Sequence, residues 1–352
     1  MRIPLVRRFR TAHGAVTHKE ALLLHAFTDE ADGWAECAAE ATPGYSDETL
    51  DGARLVLRDH LVPRAFAGAD WSGVRDTPFA RAALEAALLD AALKAREQSL
   101  ASYLGAQRIA VEAGVAIGII DSETELRRLA AGYVAAGYRR IKLKVEPGAD
   151  VEIVAAVRAE VGDAVTIAAD ANGSYATSDV VALAKLDAFA LQCIEQPLAA
   201  DALHDHAALA AQITTPIALD ESVTSSAVAR DAISMGACRI VNIKPGRVGG
   251  IAEARRVHDV CVDTATPALI GGMLETGIGR AVNVALAGLP GFTEPGDLSA
   301  SDRYFVDDVT EPWVLDDGCL RVPDGPGIGV HVRPEVLARF TIARELLQRS
   351  DH

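Results

Sequence analysis

Apolar and polar positions fall into two rhythms along the chain. Up to about residue 104, strand-like runs come first and helical ones follow. Leu22-Leu-Leu-His-Ala-Phe27 and Trp34-Ala-Glu-Cys37 flank a turn-rich stretch at 28–33, which predicts a hairpin. Ser46-Asp-Glu-Thr49 reads as a helix start with Ser46 as the N-cap. Residues 79–96 are rich in Ala and Leu with charges at helical spacing, which predicts a long helix.

From Val111 onward, short β-prone runs alternate with Ala-rich amphipathic stretches, notably at 139–145, 165–170, 191–195, 216–220 and 239–244. Such alternation predicts βα units on a parallel sheet. Strands near 114, 140, 166, 192, 217, 240, 267 and 292 make about eight, the number that closes a (β/α) barrel. An open doubly wound sheet would carry a Gly-rich phosphate loop after its first strand, and none follows 114–120. The tail beyond Ser301 has Gly- and Pro-rich loops at 316–318 and 323–329 and must return across the first domain. The predicted division is an α+β N-terminal part at 1–104, a barrel at 105–300 and a returning C-terminal segment at 301–352.

Composition narrows the function. Half of the 352 residues are hydrophobic, enough for a large core, and 34 basic residues against 49 acidic ones leave a net charge of −15. A surface this acidic does not suit a phosphate backbone, so no nucleic-acid partner is expected. Neither a signal peptide nor an apolar span is legible, which predicts a cytoplasmic protein with no membrane partner. Cys37, Cys193, Cys238, Cys261 and Cys319 are scattered without a C-x-x-C pair and read as structural thiols.

The chemistry lies at the strand ends. Lys144, Asp170, Glu195, Asp220 and Lys244 are spaced by 26, 25, 25 and 24 residues, one βα unit each. In a closed barrel these ends share one mouth. Taken singly, an acid after a strand is a helix cap and a lysine is surface. Five in register, ordered Lys, acid, acid, acid, Lys, are hard to obtain from capping alone. Three converging carboxylates require a cation, and an all-oxygen donor set favours Mg2+, with Mn2+ as a substitute, over zinc. Lys142 shares a strand face with Lys144. A lysine beside a divalent cation and a second ammonium has its pKa lowered and can serve as a base, removing a proton next to a carboxylate while the cation neutralises the enediolate. Asn172 and Glu221 lie beside the ligands and read equally as side chains that support those ligands and as turn and cap residues. His204-Asp-His206 diverges on a helical stretch and reads as a solvated face, and His13, His18 and His258 have no spacing that argues for a site.

Lys142-Leu-Lys144, Asp170-Ala-Asn172, Ile194-Glu-Gln-Pro197, Leu219-Asp-Glu-Ser222 and Asn242-Ile-Lys-Pro-Gly-Arg-Val-Gly-Gly250 together resemble the enolase superfamily. Lysines on both sides of the acids resemble its muconate-lactonizing subgroup. Gly271-Gly-Met-Leu-Glu-Thr-Gly-Ile-Gly-Arg280 and Pro295-Gly-Asp-Leu-Ser-Ala-Ser-Asp302 are similar to the o-succinylbenzoate synthase / N-succinylamino acid racemase family. The resemblance implies a modified (β/α)7β TIM-like barrel with an α+β capping domain made from both chain ends. It implies Lys144 as the base, Lys244 on the opposite face, and Asp170, Glu195 and Asp220 as Mg2+ ligands. Gly271, Gly272, Met273, Glu275 and Ser299 become candidate substrate contacts, with Glu275 read equally as a helix cap.

The implied activity is syn dehydration of 2-succinyl-6-hydroxy-2,4-cyclohexadiene-1-carboxylate in menaquinone biosynthesis, with racemisation of N-succinylamino acids as a second activity. A loop at about 10–19 would close over the substrate's succinyl arm, and a homo-oligomer is expected. Where dipeptide epimerases carry Asp-x-Asp, this chain reads Asp297-Leu-Ser299, which argues against dipeptides. The competing readings are dipeptide epimerase, muconate cycloisomerase and a non-catalytic metal-binding barrel. Relatives start with a longer strand before Phe9, so the cap is expected to lack an edge strand.

Overall fold

A βα unit of about 25 residues has length for one strand and one covering helix, so each strand returns beside its predecessor. The computed structural model, which describes residues 1–349, shows this arrangement. Seven parallel strands pair in chain order: Gly114–Ile117, Arg140–Lys144, Thr166–Asp170, Ile194–Glu195, Ile217–Leu219, Ile240–Ile243 and Ala268–Ile270. The last three residues of the predicted C-terminal segment lie outside the described ones. Helices such as Glu123–Ala135, Asp150–Val161 and Ile251–Asp263 follow the strands. Ladder register places Lys144 opposite Asp170, and Asp170 opposite Glu195. One pleat below the acids, Ala168, Cys193, Ala218, Ile240 and Leu269 pack as a small buried floor.

The strand expected near 292 does not form. Residues 293–299 are irregular, because Pro295 has no N–H to give a ladder. They still bond to both edges of the sheet: Gly114 N–H donates to Gly296 O at 2.8 Å, and Asp297 N–H to Ile270 O at 2.9 Å. A seven-stranded sheet and one irregular segment thus close the barrel.

The predicted hairpin is present as Leu22–Phe27 paired with Asp32–Cys37. Helix Pro78–Ala95 lies across it so closely that a Cβ on Gly33 would stand 2.0 Å from Ala87 O and 2.6 Å from Ala91 N. Both obstacles are backbone, so the two elements must part to admit a methyl group. We expect Gly33→Ala to cost about 3 kcal/mol or more in chemical denaturation, at the upper end of overpacking penalties.

Two local expectations are corrected. Ser46 is not the cap; Thr49 is, its hydroxyl accepting from Gly52 N–H at 3.2 Å, while Ser46 donates to Glu48 O. The Glu48 carboxylate instead caps the long helix by accepting from Phe79 and Ala80 N–H at 2.7 and 2.9 Å. Nor is an edge strand missing, for Arg2–Thr11 runs antiparallel to Gly14–Glu20. The segment expected as a loop at 10–19 is therefore mostly strand, turning at 12–13. This turn leans on the barrel, with Ile119 N–H donating to Arg10 O at 2.8 Å.

The chain's end returns to its beginning. Buried Asp90 accepts from Trp34 N–H and from Ile328 N–H, each at 2.7 Å, with Lys94 Nζ at 2.9 Å. All five cysteines are unpaired and four are buried. Burial pushes the thiols of Cys37, Cys193, Cys238 and Cys261 up to about 12, so they are inert at neutral pH. His206 corrects the solvated reading: it is fully buried, its Nε2 accepting from Leu198 N–H, whereas His204 is exposed. Among the described residues no helix is long and apolar enough to cross a membrane.

Candidate active site

The five strand-end residues and Lys142 converge at the C-terminal mouth of the barrel. Asp170, Glu195 and Asp220 have no exposed surface. Lys142 Nζ lies 3.0 Å from Asp170 Oδ2, 2.8 Å from Glu195 Oε1 and 2.5 Å from Asp297 Oδ2. Lys144 Nζ donates to Asp170 Oδ2 at 2.6 Å and to Asn172 Oδ1 at 2.7 Å. On the other side, Lys244 Nζ donates to Asp220 Oδ2 at 2.7 Å. Gly271 makes room for this lysine, since a Cβ there would meet Lys244 Cε at 2.6 Å and Asn242 Oδ1 at 2.3 Å.

Electrostatics here follow from ion pairing in a dry site. Burial works to raise the Asp170 and Asp220 carboxyls, but the ammonium groups prevail and hold both below the usual range. Glu195 goes the other way: burial and the neighbouring acids push it up to about 8 against the pull of Lys142. The expected lowering of lysine pKa is reversed at Lys142 and Lys244, where burial is outweighed by facing carboxylates. That expectation presupposed a cation neutralising the acids.

The donor set fits a hard divalent ion. Three carboxylates project from three adjacent strands, and Glu195 Oε2 is buried with no hydrogen-bond partner. Among the described residues no three acid, His or Cys side chains stand together as a ready ligand cluster. Lysine ammonium groups pair with oxygens of all three carboxylates, so a cation would compete with them there.

The remaining predicted residues divide. Asn172 and Glu221 are joined to the site, Asn172 Nδ2 donating to Glu221 Oε1 at 2.8 Å, and Asn172 takes a left-handed φ of 45°. His13 Nε2, from the hairpin turn, lies 3.8 Å from Glu221 Oε1, a proximity no spacing signalled. Gly272 sits beside the backbone of Asp297. Glu275 accepts from Met273 N–H and from Asn283 Nδ2, which tightens its own loop, while Thr276 is the helix cap. Ser299 is buried and donates to Gly114 O at 3.1 Å, so it joins the barrel seam.

Several residues escaped sequence reasoning. Tyr45, from the N-terminal part, donates to Asp220 Oδ1 at 3.0 Å, and Lys244 Nζ lies 4.3 Å from its ring centre. Arg247 binds the same Asp220 oxygen and donates to the Tyr45 hydroxyl at 2.9 Å. Gln196, at φ 41°, accepts from Asp220 N–H at 3.0 Å and from Ser222 N–H at 3.2 Å, fixing the turn after the third acid. Asn242 donates to Glu195 Oε1 at 2.9 Å. Arg247, Gln196 and Asn242 sat inside quoted motifs; Tyr45 had no signal, because its contact spans 175 residues.

Another long-range link steadies the loop after the last strand. Lys19 Nζ donates to Met273 O at 2.9 Å, and Glu36 Oε2 accepts from Thr276 N–H and Oγ1 and from Gly279 N–H. Burial pushes the Glu36 carboxyl up to about 7, despite Lys19 and the Thr276 hydrogen bond. The native state then holds this proton more tightly than the unfolded chain, so the contribution is full below about pH 4.5 and lost as pH rises through 7. Glu36→Gln is expected to gain about 2–3 kcal/mol relative to the unaltered protein between pH 4.5 and 8 in urea titrations.

Comparison with known proteins shows the family. The family described as "Enolase C-terminal domain-like" matches residues 125–336. An N-succinylamino acid racemase from Amycolatopsis sp is 51% identical, across 98% of this chain and 96% of that one. An o-succinylbenzoate synthase from Geobacillus stearothermophilus is 42% identical, across 99% and 96%. Among solved structures, an enolase superfamily member from Listeria innocua has a TM-score of 0.90 at 36% identity, covering 97% of this chain and 95% of that one. The chain belongs to the enolase superfamily and, within it, to the o-succinylbenzoate synthase / N-succinylamino acid racemase family of enzymes.

Proposed function

We propose that the chain is a Mg2+-dependent o-succinylbenzoate synthase that also racemises N-succinylamino acids, with Asp170, Glu195 and Asp220 as the metal ligands. The observation that carries this reading is the placement of Lys144 and Lys244 on opposite sides of three buried carboxylates. A bound magnesium ion supplies positive charge for the substrate carboxylate as its α-proton leaves. Lys144, 9% exposed against 3% for Lys142, is the more accessible ammonium on its strand and serves as the base on one face. Lys142, paired with Asp297 at the barrel wall, supplies fixed positive charge.

In dehydration Lys144 Nζ takes the α-proton, the electron pair expels the β-hydroxyl, and Lys144 returns the proton to it as water. In racemisation Lys144 and Lys244 exchange protons across the α-carbon, one accepting while the other donates. One site serves both because each substrate carries an acidic α-proton beside a carboxylate. The setting is cytoplasmic, the enzyme a homo-oligomer, and the place in metabolism menaquinone biosynthesis.

Dipeptide epimerisation needs free carboxylates for an ammonium after the last strand. Here Asp297 is already bound to Lys142 and Arg140, and Ser299 replaces the second acid. A non-catalytic barrel is disfavoured because all five strand-end residues are kept. The test is a side-by-side assay with Mg2+ of cyclohexadiene carboxylate dehydration and N-succinylamino acid racemisation. Turnover of both supports the reading, and turnover of neither sinks it.

A further inference from the structure

Inside the barrel a polar chain runs downward from the site, where apolar layers are the rule. Asp297 Oδ2 meets Lys142 Nζ at 2.5 Å, its Oδ1 meets Arg140 Nη1 at 2.6 Å, and Arg140 Nε donates to Gln192 Oε1 at 2.7 Å. Gln192 Nε2 then reaches Glu294. Arg140 has no exposed surface, and Asp297 is 8% exposed.

The reason for this arrangement lies in what happens when the three acids turn to a cation. Lys144 keeps Asn172 as an acceptor. Of the three carboxylates that Lys142 now meets, Asp170 and Glu195 would go to the cation and Asp297 would stay with the ammonium. A buried ammonium with no partner is costly, so without Asp297 it would stay on Asp170 and Glu195 and oppose the cation. Arg140, pairing with the other oxygen, fixes Asp297 in place.

Resting on the metal assignment above, we propose that Asp297 is a positioning residue that draws the Lys142 ammonium to the barrel wall and thereby frees Asp170 and Glu195 for the divalent ion. It acts through Lys142 and touches neither substrate nor metal.

The test is calorimetric titration of the full-length enzyme with Mg2+, free of substrate. Asp297→Asn is expected to weaken binding by about 10- to 100-fold, the usual effect of removing a partner behind a metal site. Asp297→Glu, which keeps the charge, is expected to retain most of the affinity and guards against a misfolded amide variant. In a Lys142→Met background, Asp297→Asn is expected to change affinity little, because the competing ammonium is gone. Equal affinity in Asp297→Asn and the unaltered enzyme would overturn the proposal. An equal loss in both backgrounds would overturn it too, by showing that Asp297 acts without Lys142. Absence of Mg2+ binding by the unaltered enzyme would instead remove the metal assignment itself and the proposal with it.

Discussion

Lys144→Ala is expected to lower turnover by about 10²–10⁴-fold for both dehydration and racemisation, the range a positioned acid–base group supplies. Neither neighbour can take its place. Lys142 is held by Asp297 at the barrel wall, and Lys244 faces the site from another strand. The fold should survive, because the lost ammonium lies at the mouth of the barrel rather than in its core. A kcat that collapses while the thermal midpoint stays nearly unchanged is the expected pattern. A fall in both together would make Lys144 a structural residue.

Asp220→Asn is expected to remove activity and destabilise the protein by about 3–5 kcal/mol, the cost of stranding buried charge. Asp220 is the meeting point of Lys244, Arg247 and Tyr45, all buried. Neutralising it leaves two cations facing each other with one amide between them. The effect is pH-dependent in a defined sense. Because the native carboxyl titrates below its unfolded value of 3.8, its stabilisation is full above that pH and is lost as pH falls through the lowered native value. In metal-free protein, denaturant titrations at pH 7 and below pH 3.8 should show the gap between variant and unaltered enzyme narrowing with acid. A gap that widened with acid would contradict the ion-pair account.

Legibility differed between the barrel and what covers it. The 24–26-residue spacing of strand-end charges was visible because each βα unit is local, and pleat alternation puts Lys142 with Lys144. The eighth position was misread as a strand because Thr293 and Phe292 are β-prone, whereas Pro295 and Gly296 decide the backbone. At the first helix, Thr49 competed with Ser46 for the same cap, and only tertiary use of Glu48 by the long helix settles which is free. Tyr45, Glu36 and Lys19 reach the site across 175, 240 and 254 residues, distances over which no periodicity carries information. Asp297 was read only as half of a motif; its partner Arg140 looks like any strand charge until the barrel closes around it.

Two lysines that address opposite faces of one α-carbon leave separate signatures in isotope exchange. Each enantiomer of an N-succinylamino acid would be incubated with Mg2+ in deuterium oxide, using the unaltered enzyme, Lys144→Ala and Lys244→Ala, and α-deuterium would be followed by NMR. The unaltered enzyme is expected to exchange with inversion. Each variant should lose racemisation and exchange at most one enantiomer, the opposite one in the two cases. Exchange of the same enantiomer by both variants, or full racemisation by either, would contradict it.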